Sequence, residues 1–76
     1  MKNWLMLTLV GKDRPGIVAE VSRVLFDMKG NLGEASMTRL GGNFTIMLMA
    51  SIPEKIITVE KKLQPVCDKL GLFFHL

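Results

Sequence analysis

A strand-like pattern changes to a helix-like pattern across one short, charged, glycine-bearing turn, and this change of period limits the folds open to the chain. From Trp4 to Val10 leucines alternate with other residues, which predicts a half-buried strand. From Pro15 to Lys29 apolar residues recur every three or four positions, which predicts an amphipathic helix. Pro15 suits the first helical turn and Gly30 suits the residue after the helix end. A strand followed at once by a helix begins a mixed α and β fold.

The middle of the chain predicts a β-hairpin. Strands at Asn31–Leu40 and Asn43–Ile52 are joined by Gly41-Gly42, a pair suited to the positive φ of a two-residue turn. The turn sets the register, and the expected pairs are Leu40 with Asn43, Met37 with Ile46, and Ala35 with Leu48. The unbroken apolar run from Phe44 to Ala50 is typical of a central strand.

A second helix and a last strand complete the pattern. Apolar residues at helical spacing predict a helix over Pro53–Leu70, which Pro65 should bend or break because it lacks the amide that would bond to the carbonyl of Lys61. Gly71 ends this helix, and Leu72–Leu76 reads as a short strand. The order βαββαβ predicts one α+β domain over residues 1–76, with a four-stranded antiparallel sheet and two helices on one face, the ferredoxin-like arrangement.

That arrangement leaves the second sheet face uncovered within one copy of the chain. Met6, Met47 and Met49 are expected on it among serines and threonines. Methionine clusters suit adaptable packing against a partner, and 49% of the residues are apolar, which is high for a solitary small domain. We therefore expect a homo-oligomer, a dimer or higher; the alternative is scattered apolar surface of the ordinary kind.

Composition argues against several classes of function. The net charge of +3 is scattered, without the basic stripe and interleaved aromatics of a nucleic-acid binder. Apolar runs are too short to cross a membrane, and no metal-ligand cluster or cofactor motif is present. The one cysteine, Cys67, cannot form an internal disulfide, and no targeting pattern opens the chain, so a cytoplasmic protein is expected.

The turn between the first strand and first helix is the candidate ligand site. Backbone amides of Gly16, Ile17 and Val18 stand at a helix start, where they can receive an anion. Arg14 can add positive charge nearby, and Asp13 can accept hydrogen bonds from an ammonium group. Each residue also has a structural interpretation: Asp13 as a helix cap, Gly16 as relief of crowding, and Arg14 as solvated surface.

The chain resembles the ACT domain, a small regulatory module that binds amino acids. The resemblance rests on the segment from Gly11 to Ala19, which reads GKDRPGIVA, and on Gly30-Asn31-Leu32. Within that family, the segment from Glu34 to Phe44 looks most like the branch of the glycine cleavage system transcriptional repressor. The resemblance implies an amino-acid site at the interface between two such domains, formed by the first turn and the start of the second strand.

The resemblance extends the candidate site to residues on both segments. They are Lys12, Asp13, Arg14, Gly16, Ile17, Val18, Asn31 and Leu32. Asn31 can accept a hydrogen bond from the ligand ammonium, or can instead cap the turn that enters its strand. Gly11 and Lys12 stand where relatives that bind serine-like ligands often carry histidine or asparagine. The repressor branch usually has two ACT domains in tandem, and this chain has one, so a second domain must complete the interface.

We therefore expect a non-enzymatic regulatory module that self-associates, binds a small amino acid and relays the signal to a partner protein in amino-acid metabolism or its transcriptional control. One alternative is a ligand-free interaction or dimerisation module. A second is an acylphosphatase-type enzyme, which the βαββαβ order can host, with Arg14 and either Asn43 or Asn31 as its candidate residues. A nucleophilic pair of Cys67 and His75 lacks orienting and oxyanion-binding groups, so no catalytic residue is assigned.

Overall fold

A computed structural model describes residues 4–76, and its four strands and two helices follow in the predicted order βαββαβ. The elements are β1 (Trp4–Lys12), α1 (Ile17–Asp27), β2 (Asn31–Leu40), β3 (Asn43–Ser51), α2 (Ile56–Leu70) and β4 (Leu72–His75). The strands form one antiparallel sheet in the order β2-β3-β1-β4. The predicted fold class is confirmed. The single domain predicted over residues 1–76 includes residues 1–3, which lie outside the described part.

One apolar core lies between the sheet and both helices. Most of its buried side chains come from both central strands and from the two predicted helical stripes, among them Leu7, Leu9, Phe44, Ile46, Leu48, Ala50, Ile17, Val21, Leu25, Val59, Leu63 and Cys67. Burying each Leu or Ile side chain contributes about 1.5–3 kcal/mol. At the surface, Lys69 Nζ on α2 lies 2.8 Å from Glu20 Oε1 on α1 and links the two helices.

The hairpin register is the one that the Gly41-Gly42 turn predicts. Leu40 pairs with Asn43, Met37 with Ile46, and Ala35 with Leu48. The chain is irregular between Leu32 and Ala35, where a bulge shifts the pairing. Although β3 is central and its inward side chains are buried, β2 is an edge strand whose inward residues stay open, with Met37 half exposed.

Both helices start later than the apolar pattern predicts, and α2 runs through its proline. Gly16 adopts a left-handed conformation with φ of 84° and is the N-cap of α1, so Pro15 lies before the helix. Pro65 lies inside α2, which continues from Ile56 to Leu70 and is not broken. The proline removes a single backbone hydrogen bond, and burial of the helix face that carries Leu63 offsets this loss.

Candidate functional site: a cavity at the start of α1

An open cavity of about 480 Å³ lies where β1 passes into α1. Its walls come from the turn, the first residues of the helix and the hairpin side of the sheet: Asp13, Arg14, Pro15, Gly16, Ile17, Val18, Ala19, Arg39 and Phe44. Two cationic side chains and one anionic side chain line it. The cavity therefore carries an excess of positive charge.

The floor of the cavity includes a helix start that no side chain caps. The N-cap Gly16 makes no side-chain hydrogen bond, and the amide of Glu20 donates to Gly16 O at 2.9 Å as the first turn closes. The amides of Ile17, Val18 and Ala19 precede that bond and have no acceptor within the helix. They carry the positive end of the helix dipole, so this wall suits an anion.

Arg39 faces the helix start from the edge of the sheet. Its Nε donates to Asp13 Oδ2 at 2.8 Å, and its guanidinium carbon lies 5.8 Å from the centre of the Phe44 ring. The side chains of Arg39 and Asp13 are 62% and 36% exposed, so both charges remain within reach of a ligand. Because only Nε is used in this bond, the terminal Nη groups can form a two-pronged contact with a carboxylate.

The turn is tied to the hairpin through the main chain as well. The amide of Asp13 donates to Gly42 O at 3.0 Å. This bond and the ion pair to Arg39 hold the turn against the β2–β3 hairpin at two points. Asp13 therefore does not cap α1, as one sequence interpretation allowed.

The geometry also explains three further positions in or beside the turn. A Cβ atom at Gly11 would lie 2.6 Å from Leu72 Cδ2 and 2.9 Å from Gly71 O, so β4 passes too closely for any side chain there. At Gly16 there is open space, and its positive φ rather than crowding requires glycine. Arg14 Nη2 comes within 4.0 Å of the Cβ position at Gly71, so its head group lies towards the end of α2.

The structure brings together five of the eight predicted site residues. Asp13, Arg14, Gly16, Ile17 and Val18 all line the cavity. Lys12 is exposed at the end of β1 beside Asn43 and does not line it.

Asn31 lies apart from the other predicted residues within one chain, whereas Leu32 is outside the cavity but lines an apolar groove beside it together with Ile17 and Val18. Asn31 and Leu32 begin β2 and pair with Ser51 and Ala50, whereas Arg39 is near the other end of that strand and pairs with Phe44. Arg39 is eight positions further along the strand than Asn31, a span of about 27 Å. Any contact of Asn31 with the cavity therefore requires a second copy of the chain.

Arg39 and Phe44 line the cavity but lie outside the segment from Gly11 to Ala19 that predicted the site. A signal for Arg39 is present in the hairpin, because the register that places Ala35 and Met37 on the inward face places Arg39 there too. An inward-facing arginine on an edge strand needs a partner or a function.

An apolar groove adjoins the cavity. It has a volume of about 500 Å³, lies between α1 and β2, and shares Ile17 and Val18 with the cavity. Its other walls include the inward residues that β2 leaves open, Ala35 and Met37.

The described residues 4–76 also bear on the requirements of nucleophilic catalysis, metal binding and membrane insertion. Cys67 is buried on the sheet side of α2, whereas His75 pairs with Thr8 and points to the opposite side of the sheet, so they form no nucleophilic pair. Within this range no group of three His, Cys, Asp or Glu side chains could hold a metal ion. Nor does this part of the chain contain a helix long and apolar enough to cross a membrane.

The fold and the cavity define a ferredoxin-like α+β domain with a binding cavity at its first βα turn. Residues 3–76 match the family model of the ACT domain. The chain belongs to the ACT domain family and is a regulatory domain of that type.

Curated relatives of similar size support the family. A UPF0237 protein of Methanopyrus kandleri is 34% identical over 70 residues, which cover 88% of this chain and 78% of the relative. A UPF0237 protein of Methanococcus maripaludis is 36% identical over 67 residues, which cover 88% of this chain and 73% of the relative.

Solved structures share the fold in both single-domain and larger proteins. An ACT domain protein from Streptococcus pneumoniae superposes with a TM-score of 0.82 at 30% identity and covers 95% of this chain and 84% of its own. A protein named as a glycine cleavage system transcriptional repressor gives 0.83 at 32% identity, and the match covers 95% of this chain and 43% of that protein. A formyltetrahydrofolate deformylase from Pseudomonas syringae gives 0.88 at 24% identity, a likeness of fold, over 99% of this chain and 26% of the enzyme.

Proposed function

We propose that this domain is a cytoplasmic, non-enzymatic sensor that binds a free amino acid in the cavity at the start of α1. The observation that carries the proposal is the pair of opposite charges on Arg39 and Asp13, set beside an uncapped helix start. A free amino acid carries the matching pair, a carboxylate and an ammonium group.

The ligand carboxylate is placed against the amides of Ile17 and Val18 and the Nη groups of Arg39. These donors are charged or partly charged, and such hydrogen bonds are about twice as strong as neutral ones. The ligand ammonium is placed at Asp13, whose Oδ2 accepts from Arg39, so Oδ1 is left to accept from the ammonium. The ligand side chain then extends along the apolar groove that shares Ile17 and Val18 with the cavity.

A second copy completes the site in this proposal. Within residues 4–76, one edge of β2 is unpaired, and its ten residues include neither the lysine nor the proline that often protects such edges. Antiparallel pairing of two β2 edges about a two-fold axis near Ala35 and Ser36 sets Asn31 of the second copy opposite Leu40. This pairing places Leu32 of one copy opposite Arg39 of the other, at its cavity, with the main chain of Asn31 beside it.

The sensor acts on another protein, since the domain has no assigned catalytic group of its own. Ligand binding across the β2 edges would stabilise one arrangement of the two copies, and a partner that recognises that arrangement receives the signal. By resemblance to the repressor branch, the partner belongs to amino-acid metabolism or its transcriptional control.

Thermal unfolding against each of the twenty amino acids tests this function. A ligand at one hundred times its Kd adds about 2.7 kcal/mol to the stability of the native state, which raises the Tm of a domain this size by roughly 10 °C or more. We expect one amino acid, or a chemically related few, to give such a shift.

Two analogues of the responding amino acid serve as matched controls. The amino-acid amide lacks the carboxylate, and the N-acetyl derivative lacks the ammonium group, so both should fail to raise the Tm. A flat response to all twenty amino acids would contradict the sensor and favour the ligand-free interaction module.

A further inference from the structure

We propose that the outward face of the sheet is a second self-association surface, through which two β2-paired dimers stack face to face as a tetramer. This inference rests on the β2 pairing proposed above. The outer face is defined here by the outward residues of the two central strands together with Phe73: Trp4, Met6, Thr8, Val10, Thr45, Met47, Met49 and Phe73.

Large apolar side chains on this face are open to solvent. Met6 is 53% exposed, Met47 45% and Phe73 80%, and Trp4 and Val10 are each more than two-fifths exposed. Both helices lie on the other side of the sheet, so nothing else in residues 4–76 covers the face. A contiguous apolar patch of this kind marks an interaction surface.

The outer face carries no charge at its centre. Residues 4–10 of β1 and 45–51 of β3 include no Asp, Glu, Lys or Arg, although the chain as a whole has ten basic and seven acidic residues. Glu34 of β2 is at the margin of this face, so two copies that meet through β1 and β3 avoid like-charge repulsion there, whereas the helix side carries most of the lysines. The face is therefore suited to a second copy of itself.

The size of the face favours stacking of dimers over stacking of single copies. Nine residues of β1 span about 30 Å and four strands about 19 Å, so one outer face is at most roughly 550 Å² in projection. A standard interface buries about 800 Å² on each partner. One domain falls short of that area, whereas two domains joined through β2 present roughly twice as much as one.

The shape of the outer face allows a second sheet to pack closely against it. A shallow depression of about 190 Å³ lies on it, with Met6, Ser36, Met47 and Met49 among its walls and Glu34 of β2 at its margin. Methionine is flexible and fills irregular gaps, so the methionines of a facing sheet can occupy this depression.

Sedimentation equilibrium of the full chain at about 50 µM tests the proposal with three kinds of variant. Met47→Lys places a charge at the centre of the outer face, and Met47→Thr is a milder, uncharged change there. Ala35→Lys places a charge on the β2 edge. Phe26→Lys is the matched control, because Phe26 is 62% exposed on α1, away from both surfaces.

The unaltered chain of 8.5 kDa should sediment as a tetramer of about 34 kDa, four times its mass. Met47→Lys should give a dimer, Met47→Thr a weakened tetramer, Ala35→Lys a monomer, and Phe26→Lys no change. Far-ultraviolet circular dichroism checks that each variant is folded.

Other outcomes separate this inference from the proposed function. A dimer that only Ala35→Lys dissociates would overturn the tetramer and leave the β2-paired sensor in place. A dimer that only Met47→Lys dissociates would overturn the β2 pairing and, with it, the stacking of dimers. A monomeric unaltered chain, or a tetramer that Met47→Lys leaves intact, would overturn this proposal directly.

Discussion

Arg39 Nε and Asp13 Oδ2 are 2.8 Å apart, although 26 residues separate them in the chain. The ion pair joins an edge strand to the turn before α1, and both side chains remain partly exposed. Exposed ion pairs contribute only about 0–1 kcal/mol to folding. This ion pair therefore matters less for stability than for position, because it holds two opposite charges at the mouth of the cavity.

Replacing Arg39 should separate ligand binding from stability. Arg39→Ala removes a charged donor to the ligand carboxylate, which costs about 1.5–3 kcal/mol, or roughly 10–150-fold in Kd. The free energy of unfolding without ligand should change by less than about 1 kcal/mol. Titration calorimetry with the responding amino acid and urea denaturation measure the two quantities.

Arg23→Ala is the matched control for this change, because Arg23 is an exposed arginine of α1 that does not line the cavity. It should leave Kd unchanged. Equal affinities for the unaltered chain and Arg39→Ala would show that Arg39 does not contact the ligand.

Gly11→Ala should destabilise the fold without touching the cavity. The added Cβ would lie 2.6 Å from Leu72 Cδ2 and 2.9 Å from Gly71 O, so β1 and β4 must move apart. Overpacking of this kind costs typically about 1–3 kcal/mol. Lys12→Ala, at the next and exposed position, should stay within about 0.5 kcal/mol. Urea denaturation of both variants measures these losses of stability. Equal midpoints for Gly11→Ala and Lys12→Ala would show that β4 shifts to accept the added Cβ at little cost.

Neighbouring residues of α1 should differ sharply in their contribution to stability. Leu25 is completely buried and Phe26 is 62% exposed. Leu25→Ala leaves a cavity in the core and should cost about 2–5 kcal/mol. Phe26→Ala should cost far less, although phenylalanine is the larger residue. Thermal and urea unfolding measure both, and a larger loss for Phe26→Ala would show that α1 packs with another face inward.

The fold was predictable because its main signals are local. Alternation in Trp4–Val10, the 3.6-residue stripe of α1 and the Gly41-Gly42 turn each depend on residues a few positions apart. The boundaries were less predictable, because Gly16 takes a left-handed conformation that starts α1 after Pro15. Pro65 was expected to bend or break α2, and the helix is not broken there: it continues from Ile56 to Leu70.

The site was predictable only where it is continuous in sequence. Asp13 to Val18 form one wall of the cavity, and the motif contains them all. Arg39 reaches that wall through two strand pairings: the Gly41-Gly42 turn specifies the pairing of β2 with β3, but no local pattern specifies that of β3 with β1. Asn31 belongs to the family motif but begins β2, at the opposite end of that strand from Arg39. Its proposed role therefore depends on a second chain.

The buried thiol of Cys67 should make stability fall at alkaline pH. Burial, with a smaller contribution from the negative charge of Asp68, raises the pKa of Cys67 above its ordinary value of 9.0. The native state therefore keeps its thiol proton at pH values where the unfolded chain loses it. Because the native state then binds more protons, the free energy of unfolding decreases as pH rises, by up to about 1.4 kcal/mol per pH unit.

This contribution is complete below pH 9 and is lost as pH rises towards the pKa of the folded state. Urea denaturation at half-unit steps from pH 7 to pH 10.5 should show a flat region followed by a decline. Cys67→Ala should be less stable throughout, because it leaves a small cavity, but its decline above pH 9 should be shallower. Parallel curves for the two proteins would show that the thiol ionises as readily in the folded state as in the unfolded chain.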